Sequence, residues 1–177
     1  MVSPIHDYVE GLLGPNFFLW GGAFFAKQPG DGTTVAYHQD STYWGLHHTE
    51  PAATTPHTVV VWMAFTDVDE GNAALRVLPG SHKHTLPHVP MLGEEYVLGS
   101  GVDTDALTEW LGKDEDGAEI LTLRAGEISI HDCRIAHGSP PNLSDRLRCG
   151  LTSHQTAGKT LRRSRRIDLS HRSVDRY

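Results

Sequence analysis

The stretch Thr-Val-Val-Val-Trp-Met-Ala-Phe-Thr at residues 58–66 constrains the fold more than any other part of this sequence. It is almost continuously apolar, yet too short and too rich in β-branched side chains for a helix. That combination predicts a central strand buried on both faces. Shorter segments of β pattern lie on either side: 16–27, with a glycine bulge at Gly21-Gly22, then 34–40, 74–78, 120–124, 127–131, 134–137 and 146–153. Turn residues divide them, such as Pro29-Gly30-Asp31-Gly32 and Pro140-Pro141-Asn142. Eight strands with little helix between them predict a mainly all-β fold, antiparallel, of the jelly-roll barrel or sandwich kind. Two short helices are expected. One follows Ser3-Pro4 and carries Ile5, Val9, Leu12 and Leu13; the other runs from Thr104 to Leu111. Residues 83–119 read as a long irregular excursion, of the sort that forms a lid or a binding wall.

At 177 residues the chain is expected to be one domain, residues 1–158, followed by a basic tail at 159–177. The tail holds seven basic residues against two acidic ones, so with a total of −7 the rest of the chain carries −12. That balance argues against a nucleic-acid-binding face on the main domain, and the tail is expected to be solvated and mobile. The longest clear apolar run, 59–65, is strand-sized, so no membrane span is expected. The first residues lack the basic and apolar regions of a signal peptide. Two cysteines, Cys133 and Cys149, make no disulfide framework, and a cytoplasmic location is the simplest expectation.

The chemistry centres on His38-Gln39-Asp40. Strand alternation puts His38 and Asp40 on one face, an imidazole beside a carboxylate, which are two ligands for a divalent metal. Twelve histidines offer many third ligands. His137, read as ending the strand 134–137, is one candidate and His131, on an adjacent strand, is its strongest rival. His82, His84 and His88 lie in or beside a turn and are expected at the surface; His47-His48 could line a mouth. Arg148 shares a strand face with Gly150 and Thr152. If that face points inward, its planar fork needs a buried anion, and a ligand carboxylate fits bidentately. Arg146 is the alternative arginine.

Five blocks then occur in order: His38-Gln39-Asp40 with Tyr43-Trp44; Val60-Val61-Trp62-Met63-Ala64-Phe65; Leu78-Pro79-Gly80-Ser81-His82-Lys83; residues 125–132; and His137-Gly138-Ser139-Pro140-Pro141-Asn142, with Arg148 eleven positions beyond His137. Together, over roughly residues 12–155, they resemble the phytanoyl-CoA dioxygenase family of iron(II)/2-oxoglutarate oxygenases. The resemblance implies a double-stranded β-helix in which His38, Asp40 and His137 hold Fe(II). It implies that 2-oxoglutarate is bound with Arg148 at its far carboxylate, and that Ser139 and Trp62 line the cosubstrate pocket. Tyr43 and Trp44 fall where the family forms its substrate mouth. The reaction implied is hydroxylation of a small organic molecule by O2, coupled to decarboxylation of 2-oxoglutarate to succinate. Because halogenating relatives replace the carboxylate ligand by a small residue, Asp40 favours hydroxylation. Family members also carry a mostly helical upstream portion that braces the barrel and sends a lysine toward the cosubstrate. This chain is expected to lack it, and the apolar sheet surface so exposed would favour a homodimer. Two other readings are a non-catalytic metal- or ligand-binding barrel and a His2Asp zinc hydrolase. The second has no need of a carboxylate-seeking arginine.

Overall fold

The computed structural model describes residues 4–44, 57–111 and 117–158; the expected mouth histidines His47-His48 and the basic tail lie outside them. In chain order the elements are α1 (Pro4–Leu13), β1 (Phe17–Lys27), β2 (Val35–His38), α2 (Asp40–Tyr43), β3 (Thr58–Ala64), β4 (Arg76–Val77), β5 (His88–Pro90), β6 (Ser100–Val102), α3 (Thr104–Leu111), β7 (Glu119–Ile120), β8 (Ile128–Asp132), β9 (His137–Ser139) and β10 (Arg148–Ala157). They build a double-stranded β-helix. One four-stranded sheet has the order β1-β10-β3-β8 and the other β2-β9-β4-β7, and every pairing within them is antiparallel.

The run at 58–66 takes its expected place, since β3 lies between β10 and β8 and is buried at six of its seven positions. Its outward side chains Val59 and Val61 pack beneath Val9 of α1, with Ile5, Leu13, Ile128 and Ile130 around them. Each such valine contributes about 1.5–3 kcal/mol when fully buried. Its inward side chains include Trp62 and Ala64, which meet Val68 and Ala74. The glycine bulge falls at the predicted place, where the register of β1 against β10 shifts between Leu19 and Gly21.

Several local expectations are corrected. Asp40 is not on a strand. β2 ends at His38 because β9, against which it pairs, begins at His137 and offers nothing further to pair with. The chain turns instead into α2, with the Ser41 amide donating to the Cys133 carbonyl at 3.0 Å. His137 begins a strand and does not end one. The Asp132 carboxylate accepts from the Arg134 amide at 2.9 Å, and the Ile135 amide donates to the Asp132 carbonyl at 3.0 Å. This closes a tight turn over the residues expected to be extended. The strands expected at 74–78 and 120–124 shrink to two residues each, β4 and β7, with an isolated bridge between Val68 and Leu123 continuing their course. β10 starts two residues late and runs on to Ala157.

The excursion at 83–119 contains the expected helix, α3, but also a β5–β6 pair that sequence reading missed. Prolines at 87 and 90 disguise β5, as they do on edge strands. The pair folds back over β2, where the Thr34 amide donates to the Glu95 carbonyl and the Val97 amide donates to the Thr34 carbonyl. α3 closes that side with Leu107 and Trp110 against Leu78, Leu86, Val102 and Ala136.

The β2–β9 contact is close because Gly138 has no side chain: a Cβ there would lie 2.7 Å from the Val35 carbonyl oxygen. Gly138→Ala is expected to force the strands apart at roughly 1–3 kcal/mol, lowering the thermal midpoint by several degrees. An unchanged midpoint in a melting experiment would contradict this packing.

Candidate functional site

β2 and β9 bring His38 directly opposite His137 in register, with ring centroids 4.3 Å apart. Each ring is preset by a backbone carbonyl two residues upstream. The Nδ1–H of His38 donates to Ala36 at 2.8 Å and that of His137 to Ile135 at 3.0 Å. This fixes the tautomer that leaves Nε2 with its lone pair free. Both Nε2 atoms face Asp40, at 3.3 Å from Oδ1 and 3.8 Å from Oδ2 respectively. Among the described residues this is the one cluster whose ligand atoms, all within 4.8 Å of one another, could hold a metal ion. Two imidazoles and a carboxylate on one side suit a divalent first-row metal with open positions. Burial opposes ionisation of Asp40, but His137 and His38 beside it prevail and hold its carboxyl well below the usual carboxylate range.

What aims His38 and Asp40 is Gln39 between them, a residue whose role the sequence alone does not reveal. Its side chain points the opposite way, into the protein, and the residue is only 1 % exposed. Its carboxamide nitrogen donates to the carbonyls of His84 at 2.8 Å and Arg134 at 2.5 Å, and its oxygen accepts from the Leu86 amide at 2.9 Å. Its backbone amide donates to His88 Nε2 at 3.0 Å, and His88 Nδ1 donates to the Leu86 carbonyl at 2.9 Å. His88, expected at the surface, is therefore a half-buried strut that ties the excursion to the ligand-bearing segment. The sequence shows Gln39 only as a polar residue alternating with His38 on the buried side.

A cavity of about 280 Å³ opens over the triad, and all eight residues singled out from the sequence line it: His38, Asp40, His137, Arg148, Ser139, Trp62, Tyr43 and Trp44. Arg148 is 2 % exposed, and no carboxylate among the described residues forms an ion pair with it. Its Nε and the Ser139 hydroxyl are buried without any hydrogen-bond partner. Burial pushes its pKa down to about 10. The guanidinium lies 4.9 Å over the Trp62 ring. Gly150 makes room for that stack, since a Cβ there would run into the indole. The alternative, Arg146, is ruled out as the pocket arginine: it lies at the surface and is paired with Asp69 at 2.7 and 2.9 Å.

Lys27, also missed, sits beside Arg148 in register and donates to the carbonyls of Thr33, Ser139 and Pro140. Its pKa is lowered to about 8 by burial and by Arg148. It braces the Ser139 backbone, and Asp31 offsets part of its positive charge. Asn142 anchors the next loop, donating to the carbonyls of Lys27, Gln28 and Arg146. At the other end Tyr43 hydroxyl donates to the Ser100 carbonyl. Trp44 meets Trp20 edge-on at 4.8 Å and the tilted ring of His154 at 4.6 Å.

His131, the rival ligand, lies outside the metal cluster, with its ring centroid 4.9 Å from that of His137. Burial drives the pKa of His137 down to about 3 and that of His131 to about 4, and it lowers His88 and His154 as well. Unfolding releases these rings to titrate near 6.5. Between about pH 6.5 and 4 the unfolded chain therefore binds more protons than the native one, so stability falls as pH falls. Asp40, held low in the native protein, returns to the ordinary carboxylate range on unfolding and adds slope of the same sign only toward the acid end of that window. The melting midpoint of the metal-free protein is expected to drop steadily from pH 7 to pH 5; a flat profile would contradict these burials.

Comparison with known proteins agrees with this geometry. The family model for phytanoyl-CoA dioxygenase (PhyH) matches residues 4–150. A Dictyostelium discoideum phytanoyl-CoA dioxygenase domain-containing protein 1 homolog is 32 % identical over 155 residues, covering 87 % of this chain and 52 % of the relative. The ectoine dioxygenase of Streptomyces anulatus is 33 % identical over 141 residues, covering 75 % of this chain and 46 % of its own. Among solved structures, the apo form of the non-heme monooxygenase ThoJ superposes with a TM-score of 0.68 at 31 % identity, over 86 % of this chain and 51 % of that one. This chain thus spans about half the length of the curated relatives it matches.

Proposed function

This chain belongs to the phytanoyl-CoA dioxygenase family, and on that premise we propose that it is an Fe(II)- and 2-oxoglutarate-dependent dioxygenase that hydroxylates a small organic molecule. The observation that carries the proposal is Arg148. A buried guanidinium without a carboxylate costs several kcal/mol of desolvation, and here it opens into the same cavity as a two-histidine-one-carboxylate triad. A dicarboxylate that reaches both satisfies each. A zinc hydrolase would leave the arginine unexplained.

The residues present fit the absent groups. His38 and His137 offer Nε2, and Asp40 a carboxylate oxygen, to Fe(II). Arg148 takes the far carboxylate of 2-oxoglutarate, with the orphaned Ser139 hydroxyl as a further donor. Trp62 covers the guanidinium and keeps water from it. Bound together, Fe(II), O2 and 2-oxoglutarate supply oxidation of a C–H bond to C–OH, with release of succinate and CO2. The protein's part is orientation and dryness: Phe25, Val35 and Leu75 wall the cavity with hydrocarbon, while Tyr43 and Trp44 receive the substrate at its mouth. Asp40 keeps the carboxylate that halogenating relatives replace by a small residue, which favours hydroxylation.

The finer features belong to the same reading. We place the catalytic unit at residues 1–158 with a basic appendage at 159–177, and we place the protein in the cytoplasm on the strength of two unpaired thiols, Cys133 and Cys149. Among the described residues no helix is long and apolar enough to cross a membrane. The acidic main domain does not invite nucleic acid. A homodimer is supported by Leu19, Phe24 and Phe65 on the outer face beside β1, where Phe24 is 69 % exposed and stacked on Phe65.

The test is succinate release from purified protein given Fe(II), ascorbate, O2 and 2-oxoglutarate. Slow succinate formation is expected even without the prime substrate, and Arg148→Ala should raise the KM for 2-oxoglutarate at least tenfold while metal affinity is unchanged. Binding without any succinate would leave a binding barrel in place of the enzyme. An unchanged KM in Arg148→Ala would remove the anion site from the account.

A further inference from the structure

We propose that His131 is an additional binding residue of this cavity, donating a hydrogen bond to the carboxylate of 2-oxoglutarate adjacent to its keto group. The proposal rests on the function argued above and names the group that holds the end of the cosubstrate opposite Arg148. His131 lies on β8 directly across from Val60, which is itself across from His154 on β10. The three form one row on the inner face of the sheet, facing the triad. The His131 ring is 4.9 Å from His137, yet it is not one of the three clustered ligands.

The residue is 9 % exposed and neither ring nitrogen has a hydrogen-bond partner. Leaving a buried polar group unpaired costs roughly 1–3 kcal/mol, and a phenyl or aliphatic side chain could fill the same space without that cost. Several other donors around the triad are already committed. His38 and His137 use Nδ1–H on backbone carbonyls, the Tyr43 hydroxyl donates to Ser100, and the Thr152 hydroxyl donates to Ala23. Arg148 and Ser139 are taken up by the far carboxylate. A metal engages only part of the accepting capacity of the near carboxylate, whose remaining lone pairs call for a donor. The His131 N–H is a buried donor beside the triad that nothing in the protein uses.

The test titrates the Mn(II)-loaded full chain with two ligands by calorimetry: 2-oxoglutarate, and levulinate, which keeps the keto group and the far carboxylate but has a methyl group in place of the near carboxylate. His131→Phe is expected to weaken 2-oxoglutarate about tenfold, equivalent to about 1.4 kcal/mol, with levulinate and Mn(II) affinities unchanged. His131→Gln, which keeps an N–H donor, should recover part of the loss, and His131→Leu replaces the phenylalanine variant if that one does not fold. Equal weakening of both ligands, an unchanged 2-oxoglutarate affinity, or loss of Mn(II) itself would each overturn the proposal. Absence of 2-oxoglutarate binding in the unsubstituted protein would overturn the functional reading along with it. Binding there that is unaffected by the substitutions would remove His131 alone.

Discussion

The structure depends on one short antiparallel pairing, β2 against β9, which sets His38 opposite His137. Neither strand is long enough to hold that register by itself. It is held by what surrounds it: a glycine that lets the backbones approach, two backbone carbonyls that fix the imidazoles, and the Gln39 carboxamide anchored to both the excursion and the turn before β9. The excursion also reaches the cavity through Leu98, so the segment that holds Gln39 in place touches the cavity as well. Interiors packed this way shift between discrete arrangements more readily than they deform.

The opposite sheet contributes charge. Arg148 and Lys27 are neighbours across β1 and β10, both buried, and neither is neutralised by an acid in an ion pair among the described residues. Lys27 is satisfied by three carbonyls, whereas the Nε of Arg148 has no partner. A fold that maximised its own stability would not bury a guanidinium in this way. An anion reaching the guanidinium would relieve that cost, and part of the stability given up by the protein would return as affinity for it. Trp62 shields one face of the planar guanidinium and Gly150 leaves room for that indole, an arrangement that suits a planar carboxylate.

Much of this was legible in the sequence because its causes are local. The β-branched run at 58–66 could only be a central strand, and alternation along 146–153 set Arg148, Gly150 and Thr152 on one face, as the structure has them. What was not legible depends on contacts between distant segments. Nothing near His137 in the chain says that a strand begins there; the turn is made by the Asp132 carboxylate catching the Arg134 amide. Asp40 reaches His38 through a helical turn because β9 runs out of residues to pair. His88 looked like surface because the chain around it is rich in proline and turn residues, and its burial comes from the return of β6 over β2. Gln39 was overlooked because two candidate ligands flank it.

The central claim is that one cavity holds a metal triad and a 2-oxo acid together. The most direct measurement is an anaerobic titration of the metal-free protein with Fe(II) and 2-oxoglutarate, followed by visible absorption. A metal-to-ligand charge-transfer band is predicted only when both are present, saturating at one equivalent of each and absent in Asp40→Ala. No band in the unsubstituted protein, or the same band in Asp40→Ala, would contradict the account.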